Sequence, residues 1–268
     1  YYVLVISLSD PIYASTLGVY WWPKSESGMF YLGAYERLVT DTNMWVAYGN
    51  TVIYTVLPTL FMIITCAICA YPLTSPKLIG RKFYNFFLLI PMYFSGGLIP
   101  TFILMTKLRL YDNIWALIIP ASFSIWYIIL TRTYFASIPE EMREAARIDG
   151  ANNYQCLLRV YLPNAKPILA VIAIYTLVAR WNSWYDAYIY CTTNADLHPI
   201  QTHLYKVIAL STATADNAAD SQLLERLKVN VTTVRAATVT VTILPIIFIY
   251  CLFQNHFIKG VMVGSLKG

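Results

Sequence analysis

Apolar residues gather into five long blocks, residues 48–72, 84–106, 113–135, 166–190 and 236–258, separated by polar stretches of unequal length. An α-helix rises 1.5 Å per residue, so crossing a hydrocarbon core takes about 20 mostly apolar residues, and each block is long enough. The opening YYVLVISL (1–8) reads as the end of one more helix that begins before Tyr1. The pattern predicts an all-α polytopic membrane protein. It has six transmembrane helices, the first truncated, in one transmembrane domain over 1–268.

The polar stretches orient this bundle. SPKLIGRK (75–82) holds Lys77, Arg81 and Lys82 and no acid, and basic residues in short loops mark the cytoplasmic side. Alternation then places 136–165 and the tail 259–268 inside, with 9–46 and the loop 191–235 outside. Several blocks carry Pro (Pro58, Pro91, Pro100, Pro120, Pro245), and FSGGLIP (94–100) adds Gly96 and Gly97. One such break is a packing kink. Several together suit a moving or cavity-lining bundle, because broken backbone at membrane depth must face protein or water.

EAARIDGANNYQCLLRVYLP (144–163) is too charged for lipid and too rich in helix formers for a plain linker. Ser137 and Glu140 fit a capping box, Glu140, Glu141 and Glu144 suit the positive end of a helix, and Gly150 is a stop signal. Together they predict a helix of about 12 residues, near 18 Å long. Met142, Ala145 and Ala146 give it a surface that another protein can approach closely, and a second helical run ends at Pro163. Two readings stand: a knob offered to a partner, or an amphipathic helix lying on headgroups.

The fourth block ends in RWNSWYDAYIY (180–190). Arg180 lies about 14 residues into it, roughly 21 Å from its start and past the middle of a ~30 Å core. A charge there faces water or an anion. Asn182, Trp184, Tyr185 and Asp186 follow, and rings with amides suit sugars; with Gly96 and Gly97 they are candidate pathway residues. The competing readings are an aromatic belt at the membrane interface for the tyrosines and a helix-packing or partner-paired role for Arg180.

Composition narrows the chemistry. The chain is 58% hydrophobic and 12% charged, about half the charge of a soluble domain, with mean hydropathy +0.54. Its net charge of +5 fits basic cytoplasmic loops and gives no sign of nucleic-acid binding. Cys66 and Cys69 have CxxC spacing, but inside an apolar block, where two small residues on one helix face are expected. The sequence has no GxxxxGK[ST] to cradle ATP, no HExxH and no GxSxG. The three His (His198, His203, His256) are spread apart, and His198 and His203 read as loop residues rather than ligands. We assign no catalytic residue, metal ligand or cofactor to the chain.

The 144–163 stretch resembles the EAA motif of permease subunits in bacterial ABC importers. That motif is EAA, three residues, Gly, nine residues, then hydrophobic-x-Leu-Pro. Glu144, Ala145, Ala146, Gly150, Val160, Leu162 and Pro163 fit it at every spacing, and Asp149 and Ala151 complete the DGA usual in sugar permeases. The stretches GNTVIYTV, CAYPLTSPKLIGRKF, FSGGLIPTFIL, RWNSWYDAYIY and FIKGVMVGSLKG are similar to oligosaccharide (CUT1-type, MalG-like) permeases, most of all the LplC/YtcP-like branch. That branch is tied to complex, often acidic oligosaccharides such as aldouronates and alginate. Residues 212–235 depart from it.

The resemblance implies a non-enzymatic permease subunit in a bacterial inner membrane, importing oligosaccharides, acidic or neutral; a non-sugar ABC importer is the weaker alternative. Its 137–163 segment would couple to an ATPase dimer that itself binds ATP and Mg. Its other partners would be a second, homologous permease, an extracytoplasmic sugar-binding protein contacting the 191–235 loop, the sugar, and lipid.

Overall fold

The computed structural model describes residues 1–16, 21–25, 30–206, 208 and 232–248. Among these the backbone is helical, with no β-strand. The chain divides into two compact units: residues 1–53 with 181–251, and residues 54–180 with 252–268.

Two of the expected blocks are single long helices. Thr42–Thr74 runs 33 residues through the first block, with Pro58 and Pro72 inside it. Trp115–Ala136 covers the third, loosened at Pro120–Ser122 into a 3₁₀ turn and at Phe123 and Ser124 into extended backbone. The 84–106 block is broken at FSGGLIP, where its Gly and Pro residues mark a break, and the 166–190 block is interrupted where one span was expected. The 84–106 block is two helices, Arg81–Tyr93 and Leu98–Lys107, bent by 110°. The bend sits at Gly97, whose φ of 84° and ψ of 179° only glycine adopts without strain. The 166–190 block is helical over Lys166–Trp181 and again over Tyr185–Tyr190, with the break between. The fifth block is described as the helix Thr232–Phe248, and the opening stub as Tyr2–Ser7. By length and composition two helices can cross a membrane, or up to four if each bent pair counts as one span. The remainder of the fifth block, most of 207–231 and the 259–268 tail lie outside the described residues.

In the first unit Ala34, Leu38, Met44, Ala47, Ile200 and Ala237 form the core. Trp181, 4% exposed, donates its indole N–H to the Thr242 carbonyl at 3.0 Å and meets Tyr48 edge-on at 5.7 Å. The 232–248 helix buries Thr238, Thr240 and Thr242. Each hydroxyl donates to the carbonyl four residues back, at 2.7–2.9 Å, so polar side chains enter the core already satisfied.

In the second unit the long helix presents Met62, Cys66 and Leu73 to Ile128 and Ile172. Cys66 and Ala70 are fully buried and small, which lets neighbouring helices approach closely. This matches the small-residue reading of Cys66. A second cluster joins Ala70 to Phe135, Leu157, Tyr161 and Ala165, and it seats the 140–164 segment.

Candidate functional site

The expected charged helix is present over Glu140–Ile148. Its nine residues make it about 13 Å long, shorter than the anticipated 18 Å. The capping box expected from Ser137 and Glu140 is not formed. Pro139 is the N-cap and offers no side-chain acceptor, while Ser137 donates to the Tyr134 carbonyl at 2.7 Å, closing the preceding helix instead. A capping box does occur at the start of the next helix. Asn152 accepts from the Gln155 amide and Gln155 accepts from the Asn152 amide, both at 2.9 Å.

Gly150 stops the first helix as expected. At φ 80° it donates to the Arg147 carbonyl, and Ala151 donates to the Ala146 carbonyl at 2.9 Å, which completes a Schellman turn. A Cβ at Gly150 would meet nothing within 4 Å, so only the backbone resists substitution. Gly150→Ala is expected to cost about 1–2 kcal/mol, and Gly150→Asn less. Thermal unfolding of the purified complex checks this order; equal midpoints would mean that the turn re-forms without a left-handed residue.

The second half of the segment, Asn153–Asn164, contains a π-helical turn at Leu157–Tyr161. Tyr161 is the anchor: it is 2% exposed and meets Tyr71 edge-on at 5.0 Å and Phe135 at 5.3 Å. Val160 and Leu162 pack against the same cluster. Arg143, 3% exposed, pairs with Glu140 one turn back on the same helix, and Arg147 reaches the Asn153 side chain at 3.2 Å to tie the two helices. Glu144, Ala145, Asp149 and Gly150 are exposed, Ala146 and Ala151 half-buried, and Pro163 exposed. Among the exposed apolar residues are Ile148 (86%), Tyr154 (79%) and Leu158 (61%). The motif therefore divides by role: its late hydrophobic positions hold the segment to the bundle, and its early ones face outward.

Of the candidate pathway residues, Gly96, Gly97 and Arg180 belong to the second unit, and Asn182, Trp184, Tyr185 and Asp186 to the first. Gly96 and Gly97 form the exposed bend described above, and Arg180 is half-buried. In the first unit the structure brings in two residues that sequence reasoning missed. Tyr205 stacks on Trp184, with centroids 4.1 Å apart and planes at 14°, and Gln201 donates to the Asn182 side-chain oxygen at 3.3 Å. They sit about 20 residues downstream, and nothing local to 180–190 signals them.

The loop between is held by the long helix. Asn50 donates to the carbonyls of Asp196 and His198, and the Thr51 hydroxyl accepts from the Ile200 amide at 2.8 Å. His198, read from sequence as a loop residue, is 6% exposed. One ring nitrogen donates to the Cys191 carbonyl at 2.6 Å, and the other accepts from the Lys206 ammonium at 2.9 Å. These partners fix a neutral ring with its proton on Nε2. His198, Lys206, Asn43, Asp196 and His203 border a cavity of about 180 Å³.

Comparison with known proteins gives one consistent picture. Residues 62–263 match the family described as binding-protein-dependent transport system inner membrane component. The chain is 32% identical over 239 residues to Protein LplC of Bacillus subtilis (strain 168), covering 89% of this chain and 80% of that one. It is 31% identical, over 89% of this chain and 82% of the relative, to the polygalacturonan/rhamnogalacturonan transport system permease protein YtcP of the same organism. Among solved structures, a chain of a bacterial ABC transporter involved in the import of the acidic polysaccharide alginate superposes with a TM-score of 0.83. That similarity covers 96% of this chain and 89% of the other at 32% identity.

Proposed function

Because the chain belongs to the binding-protein-dependent transport system inner membrane components, we propose that it is a permease subunit of an ATP-driven importer for acidic oligosaccharides. The observation that carries the acidic class is its likeness, along nearly its whole length, to a chain of an alginate importer. The relative named for polygalacturonan and rhamnogalacturonan transport supports the same chemistry. In this reading a second, homologous permease completes the pathway and an extracytoplasmic binding protein delivers the sugar. A dimer of ATPase subunits binds ATP and Mg and does the hydrolysis.

The 140–164 segment supplies the coupling. Its outward face carries Glu144 beside exposed Ile148, a surface made for protein rather than water. Its inner face is held to the bundle through Tyr161, Val160 and Leu162, so ATPase closure is passed to the helices as a rigid displacement. Arg180 supplies positive charge some 21 Å along its helix, where an anionic sugar needs it.

Reconstituted importer tests the substrate class. Wild type is expected to take up uronate tetrasaccharides in preference to neutral ones. Arg180→Gln keeps hydrogen bonding and removes charge, and should lower uronate uptake about ten-fold while sparing neutral sugar. Equal loss of both, or loss of complex assembly, would leave Arg180 a structural residue.

A further inference from the structure

We propose that Trp184, Tyr188 and Tyr205, with the carboxamides of Asn182 and Gln201, form a pyranose-binding platform on the extracytoplasmic side of the pathway. The proposal rests on the oligosaccharide reading above and adds the site. The rings converge from two separate segments: Trp184 is the N-cap of the Tyr185–Tyr190 helix and Tyr188 lies within it, and Tyr205 comes from the helical residues 200–206. Trp184 and Tyr205 are stacked, and Tyr188 stands edge-on to both, at 6.1 and 5.5 Å. Tyr188 remains 43% exposed and Tyr205 36%, so ring surface stays open to a ligand. Asn182 and Gln201 meet at 3.3 Å at the same place, and two adjacent carboxamides present the donors and acceptors that neighbouring sugar hydroxyls require. The flat C–H face of a pyranose covers an aromatic ring while its rim hydroxyls reach amides.

A lipid-facing aromatic belt is the rival occupant, and the backbone argues against it. The chain leaves helical geometry between Trp181 and Tyr185. Non-helical backbone within an apolar block is tolerated only against protein or a water-filled cavity. Here the Trp184 carbonyl is taken up by the fully buried Thr202 hydroxyl, at 2.9 Å. The break is therefore built into protein on one side, which suits a pathway lining better than a lipid-facing belt, and Tyr188 and Tyr205 keep exposed ring surface beside it.

The test uses the complete importer in liposomes and a panel of pyranose tetrasaccharides: galacturonate, mannuronate, maltose-type and xylan-type. Uptake of none of them by wild type overturns the oligosaccharide reading itself, and the platform with it. With a transported probe in hand, Tyr205→Leu and Trp184→Leu should raise the concentration for half-maximal uptake about ten-fold, and by more than they lower the maximal rate. Tyr205→Phe should restore the half-saturation, because it keeps the ring. Unchanged half-saturation in both Leu variants overturns the platform. So does a fall in maximal rate alone, which is the signature of an interfacial anchor.

Discussion

Glu144→Lys should abolish most of the sugar-stimulated ATP hydrolysis of the reconstituted importer while leaving membrane insertion intact. Glu144 is exposed on the outward face of the Glu140–Ile148 helix, so its replacement disturbs no packing and should change the subunit's own stability by no more than ~0.5 kcal/mol. At a docked interface the same reversal removes an attraction and adds a repulsion. That combination is worth several kcal/mol, and each 1.4 kcal/mol is about ten-fold. Stimulated hydrolysis should therefore fall by at least about ten-fold. Arg147→Glu, on the same helix, is a poorer probe because it also cuts the tie to Asn153. Wild-type hydrolysis in Glu144→Lys would remove the docking role from this helix.

The second large effect concerns stability. Trp181→Ala deletes a nearly buried ring, its edge contact with Tyr48 and its hydrogen bond to the Thr242 carbonyl. Such truncations cost about 3–5 kcal/mol. In detergent the first unit should lose cooperative unfolding well below the wild-type midpoint, as read by intrinsic fluorescence. Trp181→Phe fills most of the volume and loses the bond, so its cost should be nearer ~1–2 kcal/mol. If both variants unfold like wild type, Trp181 is not the link between the helices that flank it.

The sequence was most informative where one property repeats over many residues. The apolar blocks are long averages, and they located the helices Thr42–Thr74 and Trp115–Ala136 without help from tertiary contacts. The spacing from Glu144 to Pro163 was legible because it is a fixed pattern, and Gly150 because a left-handed turn has few alternatives. What failed was local competition. Ser137 and Glu140 had the right spacing for a capping box, yet the serine hydroxyl found a carbonyl of the preceding helix first. The bend at Gly97 falls in FSGGLIP, which the sequence already marks as a break, whereas the polar run RWNSWYD (180–186) was read for its chemistry and gave no sign that the helix ends at Trp181. Tyr205 and Gln201 were invisible because they join Trp184 and Asn182 only through the fold.

The π-helical turn at Leu157–Tyr161 makes the coupling segment a matter of angular phase as well as of chemistry. A π-turn is an α-helix with one residue inserted, and one residue is about 100° of rotation. Everything before Leu157 is thus turned by that angle from where an uninterrupted helix ending at Pro163 would put it. Deleting Arg159, the one polar residue of the five, would regularise the helix and keep every hydrophobic side chain, yet swing the Gly150 turn and Glu144 round to another azimuth. The nine residues between Gly150 and Val160 act as a dial setting, and a chain with eight would aim the same motif elsewhere.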